Sequence, residues 1–316
     1  MPQPGAAAKT RPGAAATSEP AAAAKTQPGT PAKTELGPVL LLHGQPGSAR
    51  DWRLVIAALG PGAEAIAFDR PGWDGNSATT DLAGNAEAAR AALDLHGAES
   101  ATVVGHSLGA AIAAMLAILH PERVSRLVLA SPVVNAASLR PGDRLLAAPL
   151  IGPVASVAAL AGGGIALAGA GFALATPALR RKLAAAERLD DAYLRATARS
   201  LLRAAVWRAF LTEQRVLVRE LPMLESRLTQ IAAPTTIVSG TEDRIVPPEA
   251  ARRLASQIQA AELVMIERAG HLLPQLHPDR IVAALQSGER ASTQGTPAIR
   301  AGPTERRPRG RGRLRL

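Results

Sequence analysis

The chain has no cysteine, so it forms no disulfide, holds no metal through thiolate and attacks no substrate with a thiol. Aromatic residues make up only 2% of it, three Trp, three Phe and one Tyr. That supply is too thin for a platform that stacks bases of single-stranded nucleic acid. His-Glu-x-x-His, the P-loop and Gly-x-Gly-x-x-Gly are also missing from the sequence. No metal, nucleotide or dinucleotide cofactor is therefore implied. What remains is ordinary for a globular protein: 316 residues, 47% hydrophobic and 20% charged, enough for one or two domains with a sizeable core.

The net charge of +10 is concentrated at the ends. Residues 288–316 carry eight arginines against Glu289 and Glu305, whereas residues 37–287 are almost balanced. The basic character belongs to the tails and does not mark a nucleic-acid-binding domain. Residues 1–36 are Ala, Pro, Gly, Lys and Thr in a loose repeat, Ala-Ala-Ala-Lys-Thr at 6–10 and 22–26, shortened to Ala-Lys-Thr at 32–34. Such a segment buries too little apolar surface to offset its ordering entropy, and a disordered tail is expected. It lacks the apolar stretch of a secretory signal, which points to the cytoplasm. The basic C-terminal tail is expected to be solvated, with weak contact to nucleic acid or an anionic membrane as the alternative; no obligate partner is implied.

Between the tails, short apolar runs alternate with helical patterns. Strands are expected at 37–43, 63–69, 101–106, 126–131, 235–239 and 262–267, and helices at 49–59, 81–97, 108–119, 248–258 and 278–286. Runs that are apolar throughout suit strands covered on both faces, so this rhythm predicts an α/β fold with a parallel sheet between helices. The rhythm breaks at 136–226, which reads as a helical insertion between the fourth and fifth strands. Leu145–Leu179 holds no charged residue. Its length alone would allow a membrane span. A single crossing there would separate the halves of one sheet, so a cleft-lining cap is expected, with an interfacial segment as the alternative. In 180–225, Arg195, Arg199 and Arg203 share one helical face. They are a solvated stripe or a receptor for an anionic substrate group.

The chemistry gathers in the loops that follow strands. Gly105-His106-Ser107-Leu108-Gly109 lies between a strand and an apolar helix, the context in which a sharp turn presents a serine hydroxyl. A serine needs a base, and the base an orienting carboxylate. Asp243 follows the strand at 235–239 within Gly240-Thr241-Glu242-Asp243, and His271 follows the last strand within Ala269-Gly270-His271. Glu242 is the rival acid.

With His43-Gly44-Gln45-Pro46-Gly47 after the first strand and Asp69-Arg70-Pro71-Gly72 after the second, the chain resembles the α/β-hydrolase family, in its capped serine-hydrolase branch, over 37–287. The resemblance implies that Ser107 attacks a carbonyl, that His271 moves the proton and that Asp243 holds the imidazole. It implies an oxyanion hole made by the backbone N–H groups of Gln45 and Leu108, and it picks Asp243 over Glu242. His43, His106 and Trp52 are candidates for the substrate pocket, the two histidines also for bracing their loops; Trp73 is expected near the cleft base. His96, His120 and His277 have no evident partner. The expected activity is cofactor-free hydrolysis of an ester or related acyl bond in a small, apolar substrate. Hydrolysis of a carbon–carbon bond in an acidic diketone, perhydrolase or haloperoxidase chemistry, and ligand binding without turnover remain alternatives. An aspartate nucleophile, as in epoxide hydrolases and haloalkane dehalogenases, is argued against by Ser107. The resemblance lacks the antiparallel strands that usually precede the His-Gly strand; an extra strand near 31–36 would replace them.

Overall fold

The computed structural model describes residues 36–148, Thr176, 191–201, 203–259 and 261–293. Six parallel strands form one sheet: β1 (Val39–Leu42), β2 (Ala65–Ala67), β3 (Ala101–His106), β4 (Val124–Ala130), β5 (Thr235–Gly240) and β6 (Glu262–Ile266), in the order β2-β1-β3-β4-β5-β6. β1, β3 and β5 are buried at every position, as strands covered on both faces must be. Alternate residues feed two cores. Leu40, Leu42, Val103, Leu127, Leu129 and Ile237 face one side, while Val39, Leu41, Val104, Val128, Ala130 and Val238 face the other.

Helices α1 (Arg53–Leu59), α2 (Leu82–Leu95) and α3 (Leu108–Leu119) follow β1, β2 and β3. α2 buries Leu82, Asn85, Ala86, Ala89 and Leu93, a single stripe at helical spacing, and Asp81 caps it by accepting the Gly84 N–H at 2.7 Å. α3 is apolar all round because it is enclosed all round: every residue but the last, Leu119, is buried. Its small alanines allow close packing on β3 and α2.

Between β4 and β5 the described helices are α4 (Pro141–Ala147), α5 (Asp191–Leu201) and α6 (Ala204–Ser226), with no strand among the described residues. Most of the uncharged run 145–179 lies outside the described residues, and no described helix is long and apolar enough to cross a membrane. Acidic side chains dock α6 along its length. Glu220 accepts the Leu82 N–H at the start of α2 at 3.0 Å, and Glu225 accepts the Ala136 N–H at 2.8 Å.

The last helices are α7 (Pro248–Gln257), α8 (Leu273–Leu276) and α9 (Pro278–Thr293). α9 runs to Thr293, past residue 288, at which the basic tail was expected to begin; Gly288 lies within it, and no proline interrupts the helix there. β4 likewise starts two residues early, at Val124, where a register irregularity opposite Ala101 and Thr102 extends the pairing. The extra strand expected near 31–36 falls almost wholly outside the described residues.

β1 pairs with β2 on one side and β3 on the other, so the chain changes direction across the sheet between β1 and β3. Loops leaving the C-terminal ends of those two strands diverge and open a crevice, the position where open α/β sheets bind ligands. The first loop carries His43–Gly47 and the second carries Ser107.

Candidate active site

Ser107 sits at the β3–α3 junction with φ 55° and ψ −119°, a left-handed backbone that a serine adopts only when its surroundings impose it. The imposition is visible. The Ser107 N–H donates to Ala130 O at 3.0 Å, and Ser107 O accepts from Ala110 N and Val133 N at 3.0 and 3.2 Å. A Cβ on Gly105 would lie 2.3 Å from Gly109 O, and one on Gly109 would lie 2.1 Å from Leu42 O. Both flanking glycines are therefore steric requirements of the turn. The side chain of Ser107 makes no capping bond to α3 and stays available for other partners.

Asp243 and His271 leave adjacent strands, β5 and β6. His271 Nδ1–H donates to Asp243 Oδ2 at 2.8 Å. Asp243 Oδ1 accepts the N–H groups of Ile245 and Val246 at 2.9 and 2.8 Å. Burial by itself would raise the Asp243 carboxyl; the bonds from His271, Val246 and Ile245 outweigh it and hold the group below the ordinary carboxylate range. Asp243 is thus an anion that fixes the His271 tautomer and leaves Nε2 free to accept a proton. Glu242, the rival acid, is exposed.

His106 is buried and donates Nε2–H to His271 O at 2.9 Å, with ring centroids 4.9 Å apart. Burial and the neighbouring His271 push it down to about 3, so it is a neutral brace between the serine loop and the histidine loop. His43 is also neutral, lowered by burial and then by the Arg70 cation. Its Nδ1–H donates to Gly44 O at 2.8 Å and its Nε2 accepts the Arg70 N–H at 3.1 Å. Among the described residues neither the Gln45 nor the Leu108 backbone N–H has a protein acceptor, and both flank the serine loop.

Trp52 is fully buried in the core with Val55 and Leu273. His96 donates to Ala92 O at 2.8 Å and His120 pairs with Glu87 at 2.6 Å, both on the far side of the chemistry. His277 ends α8. No group of three His, Asp or Glu among the described residues could hold a metal ion.

A cavity of about 600 Å3 opens between the motif loops and the helices α5 and α6. Its wall includes Arg50, Asp51, Trp73, Tyr193, Arg199 and Arg203; Ser107 and His271 do not line it, nor does Trp52. The arginine stripe divides here. Arg195 pairs with Asp191 at 2.7 Å at the surface, whereas Arg199 and Arg203 face the cavity. Arg203 stands in the break between α5 and α6 rather than on the same helix. Asp51 accepts the Ser48 N–H at 3.0 Å and bonds Tyr193, and its burial pushes its carboxyl up to about 6. Burial, followed by the Asp51 charge, raises the Tyr193 phenol.

Sequence reasoning missed two arrangements. One is the Asp51–Tyr193 link. The other is a buried ion pair between Arg70 and Glu213 of α6, fully buried on the arginine side. Arg70 belongs to the Asp69-Arg70-Pro71-Gly72 motif, but nothing local marks Glu213 as its partner.

Residues 39–284 match the alpha/beta hydrolase family, and the chain belongs to that family. Among its relatives is the 2-hydroxy-6-oxononadienedioate/2-hydroxy-6-oxononatrienedioate hydrolase 2 of Pseudomonas putida, 28% identical over 243 residues, or 74% of this chain and 80% of the relative. The 2-hydroxymuconate semialdehyde hydrolase of Pseudomonas sp. (strain CF600) is 28% identical over 253 residues, covering 78% and 84%. The crystal structure of an alpha/beta hydrolase fold protein from Burkholderia ambifaria superposes with TM-score 0.63 at 27% identity, over 80% of this chain and 91% of that one. The protein is an alpha/beta hydrolase.

Proposed function

We propose that the protein is a cofactor-independent serine hydrolase that cleaves an ester or related acyl bond through Ser107, His271 and Asp243, with the α4–α6 insertion acting as a cap. The observation that carries this reading is the 2.8 Å bond from His271 Nδ1 to a buried Asp243 whose carboxyl is held low, together with a serine held at φ 55° at the end of β3. Ser107 Oγ attacks the carbonyl carbon while its proton passes to His271 Nε2. The imidazolium that forms is stabilised by Asp243. The carbonyl oxygen becomes an oxyanion facing the N–H groups of Gln45 and Leu108, which have no other acceptor among the described residues. His271 then returns the proton to the leaving group, and water, activated by the same imidazole, releases the acid. The strained elbow keeps Oγ in place for both steps.

The test is intact mass after exposure to a fluorophosphonate, beside Ser107→Ala. One adduct on the wild type and none on the variant is expected. An unlabelled, folded wild type would overturn the reading in favour of a binding protein of the same fold.

A second reading is carbon–carbon bond hydrolysis of an acidic substrate by the same three residues. It is supported by Arg199 and Arg203 on the cavity wall and by relatives named as hydrolases of dienedioate and semialdehyde compounds. The apolar substrate implied by the uncharged segment 145–179 rests on residues outside those described, whereas the described wall carries arginines. An acidic diketone turned over faster than an ester of the same acyl group would favour this second reading.

A further inference from the structure

Arg70 is fully buried, and each of its five guanidinium N–H groups has an acceptor to meet. Nε donates to His43 O at 3.0 Å and Nη2 to Gly44 O at 2.9 Å. Nη1 donates to Asn85 Oδ1 at 3.2 Å and to Glu213 Oε1, while Nη2 also reaches Glu213 Oε2 at 3.3 Å. Gly44 O therefore receives two donors, Arg70 Nη2 and His43 Nδ1.

The Gly44 carbonyl and the Gln45 N–H belong to one planar peptide unit and point in opposite directions along it. Holding the carbonyl fixes the direction of the N–H. A guanidinium on the oxygen also draws electron density through the unit and makes the N–H a stronger donor. The next residue of α6 completes the arrangement. Gln214 Oε1 accepts from Gln45 Nε2 at 2.8 Å, and Gln214 Nε2 donates to Asp143 of α4 at 2.9 Å. Two consecutive residues of one helix thus hold the same peptide from its carbonyl end, through Arg70, and from its side chain.

We infer that Arg70 and Glu213 are positioning residues for the oxyanion hole: Arg70 clamps the Gly44–Gln45 peptide, and Glu213 makes that clamp depend on the seating of α6. The inference rests on the serine-hydrolase reading, in which the Gln45 N–H binds the oxyanion. Its consequence is that the inserted helices contribute to rate as well as to shaping a pocket. Displacement of α6 removes the counter-ion of Arg70 and loosens its hold on the peptide.

The test separates positioning from mere support. A buried pair replaced on both sides by apolar residues of similar volume keeps or gains stability. Arg70→Met/Glu213→Leu removes both charges together but leaves His43 O and Asn85 Oδ1 without this donor, so it is expected to fold and to melt somewhat below the wild type. Its kcat on p-nitrophenyl butyrate, normalised to the sites a fluorophosphonate labels at end point, is expected to fall about 10- to 100-fold. KM is expected to stay within about twofold, because the hole engages the transition state rather than the bound ester. Inhibition by butylboronic acid, which presents a tetrahedral anion, is expected to weaken by a similar factor. A folded double variant with wild-type kcat overturns the inference and leaves the serine-hydrolase reading intact. A wild type that does not label overturns both. Should the double variant not fold, Glu213→Gln, which keeps an oxygen acceptor beside Arg70 and removes the charge, is expected to fold and to lower kcat about fivefold; an unchanged kcat there also overturns the inference.

Discussion

Gly44 and Ser107 approach so closely that a Cβ on the glycine would lie 3.0 Å from Ser107 Cβ, with His106 O at 3.2 Å beyond it. Ser107 cannot retreat, because its N–H and its carbonyl are both bonded to the β4 side of the turn and to α3. The loop must give instead, and it carries the Gln45 N–H with it. Gly44→Ala is therefore expected to lower kcat about 100-fold, the scale of losing one oxyanion donor. The stability loss is expected to be only about 1–2 kcal/mol. Thermal melting beside ester kinetics checks it; a variant that keeps its rate would show that the loop tolerates displacement.

Asp243→Asn removes the anion that selects the His271 tautomer while leaving the backbone bonds of Ile245 and Val246 an amide oxygen to meet. A fall in kcat of about 10⁴ is expected with the fold retained. The stability sign follows from the lowered carboxyl. Asp243 contributes stability above the ordinary aspartate pKa, and the contribution is lost as pH falls through its lower folded value. Acid unfolding monitored by circular dichroism should lose part of its steepness below about pH 4 in the variant.

Asp51 has the opposite sign. Its folded carboxyl is raised to about 6, so below about pH 4 it is protonated folded or unfolded and costs nothing. As pH rises from there to about 6, the unfolded chain ionises first and stability is lost, by about 3 kcal/mol in all. Asp51→Asn is expected to remove this loss and to gain more stability over the wild type at pH 8 than at pH 4. Urea midpoints at both values measure it; equal gains at both would contradict the assignment.

Arg199→Ala and Arg203→Ala are expected to raise KM for a carboxylated ester about tenfold each, the scale of a hydrogen bond to a charged group. Turnover of p-nitrophenyl butyrate is expected to be unaffected, because neither side chain belongs to the Ser107 site. Equal effects on both substrates would place the arginines in support of α5 and α6 rather than in recognition.

The sequence by itself determined the sheet and the order of its chemistry. Apolar runs such as Val39–Leu42 and Ala101–His106 have nowhere to lie but inside a covered sheet. Glycines at 105 and 109 announce a turn too tight for side chains, and strand ends place Ser107, Asp243 and His271 on one edge. The resemblance picks Asp243 over Glu242, but only the tertiary structure shows why the two neighbours part: the loop after β5 turns Asp243 inward onto His271 and leaves Glu242 exposed. It likewise decided that Arg195 pairs with Asp191 at the surface while Arg199, one turn along the same helix, and Arg203, past its end, face a cavity. Arg70 and Glu213 are 143 residues apart, and Asp51 and Tyr193 belong to different halves of the chain. Pairs of this kind leave no local signature. A charged residue reads as solvated until folding removes its water, and only then does the low dielectric make one partner obligatory.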